Sequence, residues 1–232
     1  MTTVLFVHGI LGKPDYFDFL RPYVAEAGFR SEDILLEGHC DTPRAFGRAS
    51  MERWRGQVAE AAARLHGAGS SLIIAAHSMG TLFAIDNAVR GMADCLFLLN
   101  PPLKLRPTRR MFTSPLKVLA GRTADRWSAA AKAAYSISDD QNPLHYLGWI
   151  PRYLELFAEI RRTRPLARQL ALPAHVYLSA HDEMVSPRSA GYFPDRPDTD
   201  VTILPDSGHY YYAETDRSGI EADFARFLAL FA

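Results

Sequence analysis

The sequence predicts an α/β fold, in which a mostly parallel sheet of about six or more strands carries helices on both faces. Short apolar runs recur along the chain, and several are apolar at successive positions, as in strands buried on both faces. Helical patterns lie between these runs, and this alternation is typical of parallel strands joined by helical crossovers. A chain of 232 residues is long enough to bury a substantial core.

Six apolar runs are the expected strands, and they cover residues 3–7, 33–37, 71–76, 95–99, 174–179 and 200–205. The first helical pattern is marked by four apolar positions, Tyr16, Phe17, Leu20 and Val24. Three further helices are expected over residues 51–65, 79–89 and 220–231. Right-handed crossovers between the strands follow from the chirality of the chain.

Residues 101–172 interrupt this alternation, because they contain no convincing strand pattern. Helical patterns occur around residues 127–137 and 149–160, separated by prolines. We therefore expect a core of residues 1–100 and 173–232 that carries a helical cap or lid insertion, the cap segment (residues 101–172). The cap segment has 13 Lys and Arg against five Asp and Glu, whereas the remainder has 13 against 21. These arginines either form solvated helix faces whose stems cover apolar surface, or they attract anionic substrates or an acidic surface.

The composition narrows the class of protein. The formal net charge is zero, so no global field favours nucleic acid or a membrane as partner. Cys40 and Cys95 are the only cysteines, and they provide neither metal-ligand spacing nor a disulfide framework. The N-terminus lacks a basic region, and no apolar stretch approaches the roughly 18–20 residues of a membrane span. We expect a cytoplasmic protein with no integral membrane segment, no metal and no cofactor; the sequence leaves its oligomeric state open.

One apolar run, "LIIAAHSMGTLFAI" (72–85), is interrupted by polar residues where a strand is expected to pass into a helix. Ser78 then lies just beyond the carboxyl end of a parallel strand, where open α/β sheets bind ligands. The helix behind it would supply a free backbone N–H group and a positive dipole. Such a turn is crowded, so small residues are needed two positions before and after the serine, and Ala76 and Gly80 are small. These features favour Ser78 as a nucleophile over an ordinary polar residue.

The stretch "AHSMG" (76–80) resembles the nucleophile elbow G-x-S-x-G of the α/β-hydrolase family. It departs from that pattern at Ala76, as do elbows of some small bacterial lipases. In the family, backbone N–H groups hold the oxyanion, and the resemblance implies Ile10, after His8-Gly9 in "LFVHGILG" (5–12), and Met79. Without the elbow, His8 could equally cap a strand and the glycines form ordinary turns.

The resemblance also implies an acid and a base that complete a catalytic triad. Asp182 in "HVYLSAHDEMVSP" resembles the acid loop, with Glu183 as a weaker competitor. Asp206 more readily shapes a loop, and the strand ending at residue 99 is followed by Asn100, which carries no carboxylate. His209 in "ILPDSGHYYYAE" would be the base, so the partners arrive in the family order of serine, acid and histidine. His77, beside the nucleophile, is expected to pack or bond a loop and not to act as a second base.

Six residues are expected around the substrate: His8, Gly9, Leu11, His77, His145 and Trp149. His145 and Trp149 could line an acyl pocket from the cap segment. Alternatively, the spacing of Trp149, Tyr153 and Phe157 is that of a core-facing helix stripe.

Together the motifs resemble those of bacterial carboxylesterases and monoacylglycerol lipases. The resemblance implies a serine hydrolase that cleaves a small-molecule carboxylic ester through an acyl-enzyme. Two alternatives remain open: another triad hydrolase, such as a C–C bond hydrolase, thioesterase or amidase, or a non-catalytic binding protein that keeps the fold.

Overall fold

Six parallel strands form one sheet in the computed structural model, which describes residues 2–67, 70–106, 108–110, 125–138, 140 and 142–231. The strands are β1 Thr3–Val7, β2 Arg30–Ile34, β3 Leu72–His77, β4 Cys95–Leu99, β5 Ala174–Ser179 and β6 Thr199–Leu204. Their spatial order is β2-β1-β3-β4-β5-β6, and every pair of neighbours is parallel. The expected α/β class with a parallel sheet is therefore confirmed.

Helices connect these strands, as parallel pairing requires. The α-helices are α1 Arg21–Glu26, α2 Pro43–Arg48, α3 Met51–His66, α4 Met79–Val89, α5 Arg126–Ala134, α6 Trp149–Ala167 and α7 Glu214–Ala229. Short 3₁₀ helices occur at Pro14–Phe17, Pro143–Tyr146 and Pro187–Tyr192. No helix in the described part of the chain is both long and apolar enough to cross a membrane.

The sheet is buried on both faces because alternate strand residues point to opposite sides. In β1, Leu5 and Val7 join a core formed with α3, α4 and α6. Val4 and Phe6 join a second core formed with α1 and α7. Continuous burial explains why these strands read as unbroken apolar runs rather than as alternating ones.

The second strand lies three residues earlier than the apolar run that marked it in the sequence. The pairing begins with Thr3 opposite Arg30 and ends with Val7 opposite Ile34. β2 is an edge strand with an exposed or half-exposed polar sequence, so apolarity does not mark it. The apolar residue Leu36 lies beyond the strand and is buried in the core from a loop.

Helix α6 continues past residue 160, where the sequence pattern was expected to end, and includes Pro165. Its residues Ile160 and Ala167 are buried in the same core as α4, and this packing outweighs the hydrogen bond lost at the proline. The expected core-facing stripe is correct for Trp149 and Tyr153, which pack against that core. It is wrong for Phe157, whose side chain is 41% exposed. The division into core and cap segment stays a prediction.

Candidate active site

Ser78 lies in the turn between β3 and α4, at the carboxyl edge of the sheet and between β1 and β4. Its backbone angles, φ 50° and ψ −123°, are unusual for a residue with a side chain and indicate a strained turn. The backbone N–H and the backbone carbonyl of Ser78 each form a hydrogen bond that stabilises this turn. The Ser78 N–H donates to the Leu99 carbonyl over 2.9 Å, and the Thr81 hydroxyl donates to the Ser78 carbonyl over 2.6 Å. The turn projects the serine from the end of β3.

Close backbone approach explains why a glycine follows two residues after Ser78. A Cβ atom at Gly80 would lie 2.3 Å from the Val7 carbonyl oxygen and 2.7 Å from the His8 carbonyl oxygen. Both oxygens belong to the backbone at the end of β1, which cannot move aside without disturbing the sheet. Ala76, by contrast, is fully buried in the core that contains α4, so the fold accommodates its methyl group.

We expect Gly80→Ala to lower the free energy of unfolding by about 1–3 kcal/mol, the usual range for overpacking. The matched control is Gly219→Ala in α7, because a Cβ atom at this glycine would have no heavy atom within 4 Å apart from its chain neighbours and the backbone of its own helix. That variant should be neutral or more stable by up to about 1 kcal/mol, from helix propensity. Urea unfolding followed by circular dichroism measures both. Equal stability of the two variants would contradict the crowding argument.

His209 connects Ser78 to Asp182 through its two ring nitrogens. The Nε2–Ser78 Oγ distance is 2.9 Å, and the Nδ1–Asp182 Oδ2 distance is 2.7 Å. A carboxylate only accepts hydrogen bonds, so Nδ1 carries the proton, and in the neutral ring Nε2 accepts from the serine hydroxyl. All three residues are buried. The structure therefore brings together the three residues that the motifs selected, in an arrangement that allows proton transfer from Ser78; their catalytic roles stay a prediction.

The Asp182 carboxylate is anchored by its own loop. Its Oδ1 accepts the backbone N–H groups of Met184 over 2.8 Å and of Val185 over 2.7 Å. Oδ2 is thereby left to face the His209 ring. The Glu183 carboxylate is bonded elsewhere, since its Oε2 accepts the His209 backbone N–H over 3.3 Å. The geometry therefore favours Asp182 over Glu183 as the residue that orients the imidazole.

Opposing effects act on the pKa of His209. Burial disfavours the charged imidazolium and lowers the pKa, but the charge and hydrogen bond of Asp182, together with the charge of Glu183, outweigh it. The net result is a raised pKa. Such a ring accepts a proton from a hydroxyl more readily than an unassisted histidine would.

The loop after β1 passes very close to Ser78. A Cβ atom at Gly9 would lie 2.8 Å from the Ser78 Cβ atom, so only glycine allows this approach. Within the described part of the chain, neither the Ile10 nor the Met79 N–H donates a hydrogen bond. Met79 is the first residue of α4, where backbone N–H groups and the helix dipole favour negative charge. That these two groups form an oxyanion hole stays a prediction.

Two further residues of this loop have intramolecular roles. The His8 ring donates from Nδ1 to the Gly9 carbonyl and accepts at Nε2 from the Leu36 N–H. Burial lowers its pKa to about 4, so the ring is neutral at pH 7. Leu11 has a positive φ of 59°, and its carbonyl accepts the Ser136 N–H of the cap segment over 2.8 Å. These contacts brace the loop beside Ser78; contact of either side chain with a substrate stays a prediction.

His77 supports the loop that carries the base. Its Nε2 donates to the His209 carbonyl over 3.0 Å, and its ring stacks on Tyr16 with centroids 4.1 Å apart. Burial holds its pKa well below the ordinary value. A neutral ring bonded to this carbonyl fits the expected packing or loop-bonding role; that role, and contact of His77 with a substrate, stay predictions.

Asn100 is a residue whose importance the sequence reasoning missed. It follows β4 with a positive φ of 50°, and its Oδ1 accepts the Ser179 N–H at the end of β5. Its amide donates to the Gly208 carbonyl over 3.3 Å and to the His209 carbonyl over 3.4 Å. Asn100 thus ties the end of β5 to the histidine loop. The signal in the sequence is an amide residue directly after the carboxyl end of a central strand.

Arg106, from the cap segment, is a second residue that was missed. Its guanidinium donates to the Asp182 carbonyl over 2.9 Å and to the Ala180 carbonyl over 2.7 Å. It therefore holds the acid loop through the backbone. No spacing rule in the sequence links an arginine to a loop 76 residues away.

The two cap residues expected near the substrate lie in other contacts. His145 pairs with Asp140 over 2.6 Å. The Trp149 indole donates to the Pro43 carbonyl over 2.9 Å and packs against Phe46. In the described part of the chain, neither residue has a hydrogen bond or ring contact with Ser78 or His209, so their substrate role stays a prediction. The described residues also hold no group of three or more His, Cys, Asp or Glu side chains placed to bind a metal ion.

Solved structures share this fold at low sequence identity. A structure of the metagenome-derived lipolytic enzymes LipS and LipT aligns with a TM-score of 0.75 and 18% identity, covering 99% of this chain and 94% of that one. A soluble variant of Saccharomyces cerevisiae monoglyceride lipase aligns with a TM-score of 0.72 and 15% identity, covering 100% and 87%. N-formylmaleamic acid deformylase from Pseudomonas putida aligns with a TM-score of 0.60 and 16% identity, covering 95% and 91%.

At such identities these likenesses establish the fold alone. A comparison with curated protein sequences finds no match. A family model described as "Alpha/beta hydrolase family" matches residues 4–219. That range includes the loop after β1, the Ser78 turn, the Asp182 loop and His209.

Proposed function

Because the chain belongs to the alpha/beta hydrolase family, we propose that it is a serine hydrolase that cleaves carboxylic esters through an acyl-enzyme. Family membership supports a hydrolase, and the arrangement of Ser78, His209 and Asp182 supports the serine mechanism. The observation that carries the proposal is the continuous hydrogen-bonded path from Ser78 Oγ through the His209 ring to Asp182. The ester as substrate is supported by the names of the lipolytic enzymes and the monoglyceride lipase that share the fold.

Acylation begins when Ser78 Oγ attacks the ester carbonyl carbon while His209 Nε2 takes the hydroxyl proton. Asp182 holds Nδ1–H and stabilises the imidazolium that forms. The Ile10 and Met79 N–H groups would donate to the oxyanion of the tetrahedral intermediate. When the intermediate collapses, the bond to the leaving oxygen breaks, and His209 gives its proton to that oxygen. An alcohol leaves, and the acyl group remains on Ser78.

Deacylation repeats the same steps with water. His209 removes a proton from a water molecule, which attacks the acyl carbon, and the Ser78 oxygen is the leaving group. His209 returns the proton to Ser78, and the carboxylic acid is released. One base serves both halves because its Nε2 faces the serine oxygen, the atom that attacks first and leaves last.

A fluorophosphonate probe tests the serine mechanism. The Ser78 oxygen should displace fluoride and become phosphonylated, and peptide mass spectrometry should locate the adduct at Ser78. Ser78→Ala should not be labelled, because the variant lacks the oxygen that displaces fluoride. Absence of labelling in native protein with intact circular dichroism would reject the serine hydrolase assignment and favour the binding-protein alternative.

The bond that is cleaved needs a separate comparison. Hydrolysis of the ethyl ester, ethyl thioester and N-ethyl amide of one acyl chain is followed by chromatography of the released carboxylic acid, which is the product common to all three reactions. We expect the highest kcat/KM for the ester. A labelled protein that prefers the thioester or the amide would keep the serine mechanism but contradict the ester assignment.

A further inference from the structure

An exposed apolar face lies on the cap segment. Five of the eight large hydrophobic side chains that are exposed in the described part of the chain occur between residues 144 and 157. They are Leu144 (67% exposed), Leu147 (58%), Ile150 (60%), Leu154 (61%) and Phe157 (41%), and we call them the cap stripe. Their spacing of three or four residues places those within α6 on one side of the helix.

The cap stripe is not the face by which α6 packs on the protein. That role belongs to Leu156, Ile160 and Ala167, which are buried in the core shared with α4. Helix α6 therefore has two apolar faces, one buried and one exposed to solvent in the described chain. Contiguous apolar exposure of this kind is typical of an interaction surface rather than of ordinary surface residues.

Arginines without carboxylate partners border the cap stripe. Arg44 and Arg48 lie with Leu144 and Gly148 around a cleft of about 390 Å³. At the other end, Arg161 is exposed one helical turn beyond Phe157. Among the described residues, Arg44, Arg48 and Arg161 form no ion pair.

Three acidic side chains of the described cap segment have partners within the protein. Asp140 is bonded to His145 over 2.6 Å, and Glu155 forms an ion pair with Arg152. Glu159 is 4% exposed and is paired with Arg55 and Arg162. Among the described residues, the border of the stripe thus presents three arginines without an ion pair, whereas Glu155 and Glu159 are paired with arginines.

Charge is divided unevenly along the chain, with a positive excess on the cap segment and a negative excess on the remainder. The cap segment has 13 basic and five acidic residues, and the remainder has 13 basic and 21 acidic residues. An anionic surface would attract the cap segment and repel the remainder, so the cap segment would face that surface.

We propose that the cap stripe docks on an anionic lipid surface. Its five apolar side chains enter the boundary between headgroups and acyl chains, and the bordering arginines bind lipid phosphates. Charge complementarity favours this partner over a second copy of the chain. A symmetric dimer through the stripe would bring together two sets of arginines that have no ion pair among the described residues, and these like charges would repel.

Vesicle flotation tests the docking directly. The intact protein is mixed with vesicles of phosphatidylcholine, with or without about 30 mol% phosphatidylglycerol. We expect binding to the anionic vesicles at least about tenfold tighter than to the neutral ones, and weakening as salt is added. Ser78→Ala should float like the wild type, so failure of the proposed hydrolysis and failure of docking are distinguishable.

Paired variants separate the apolar contribution from the charged one. Ile150→Gln/Leu154→Gln should lower affinity for anionic vesicles by about tenfold or more, since two inserted side chains are lost. The matched control, Leu35→Gln/Leu230→Gln, removes two exposed apolar side chains outside the cap segment (47% and 74% exposed) and should leave affinity unchanged. Arg44→Gln/Arg48→Gln should weaken binding only to the anionic vesicles, by about fivefold for each arginine.

Three outcomes would overturn the proposal. The first is wild-type affinity of the Ile150/Leu154 variant for anionic vesicles, and the second is equal affinity of the wild type for neutral and anionic vesicles. The third is a dimer in analytical ultracentrifugation that the Ile150/Leu154 variant abolishes, because the occupant would then be a second copy. Circular dichroism confirms that each variant is folded before its binding is compared.

Discussion

Replacing Ser78 by alanine is expected to lower kcat/KM for the cleaved ester by about 10⁴-fold or more. The variant removes the only atom that the proposed mechanism joins covalently to the substrate. His209 would keep its bond to Asp182 but would have no hydroxyl to deprotonate. Any remaining rate would come from water attack assisted by binding and the oxyanion donors. Initial rates with the ethyl ester of the preferred acyl chain measure this loss.

Ser189→Ala is the matched control for this loss. Ser189 is also fully buried, but its hydroxyl accepts the Lys104 N–H and has no histidine partner. We therefore expect that variant to keep most of the wild-type kcat/KM. If Ser78→Ala kept more than a tenth of the activity, with the wild-type circular dichroism spectrum, the assignment of the nucleophile would be wrong.

Replacing Asp182 by asparagine is expected to reduce kcat by about 10⁴-fold with little change in fold. An asparagine side chain can present an amide donor to Nδ1, which stabilises the tautomer that carries its proton on Nε2. That tautomer cannot accept the Ser78 proton. Asparagine has nearly the same shape as aspartate, so packing changes little. The loss of kcat therefore reports on which nitrogen of His209 carries the proton.

The pH dependence of the same variant gives an independent measurement. His209 must be neutral to act as base, so wild-type activity should fall as the pH drops through its raised pKa. Asp182 raises that pKa through its charge and hydrogen bond, and asparagine removes the charge. The acidic limb of the kcat/KM profile of Asp182→Asn should therefore lie at lower pH than that of the wild type.

Glu183→Gln serves as the comparison, because Glu183 is buried beside Asp182 and its carboxylate accepts the His209 backbone N–H instead of facing Nδ1. Its charge also raises the pKa of His209, but by less than the charge of Asp182 does. We expect a smaller shift of the acidic limb in the same direction and a much smaller loss of kcat. A loss in Glu183→Gln that equals or exceeds that in Asp182→Asn would identify Glu183 as the orienting acid.

Much of the fold was predictable because burial on both faces leaves a local signature. Continuous apolar runs marked β1, β4 and β5 at the bounds that the structure has. The signature failed at β2, which pairs only with β1 at the edge of the sheet and can therefore have a polar sequence. The apolar residues that the sequence assigned to this strand lie partly in the loop that follows it. It also failed at Phe157, since helical spacing identifies an apolar face but not what covers it.

The sequence by itself determined the order of the elements and the residue types at the ends of the strands, including Ser78, Asp182 and His209. These are local properties, because a strand–turn–helix with small flanking residues is encoded within about ten positions. Only the tertiary structure decided which polar atoms meet across the sheet edge. Asn100 and Arg106 act through backbone carbonyls of loops that are far away in sequence. Any residue supplies such carbonyls, so they leave no mark in the sequence, and only the three-dimensional arrangement of the strands determines which donor reaches them.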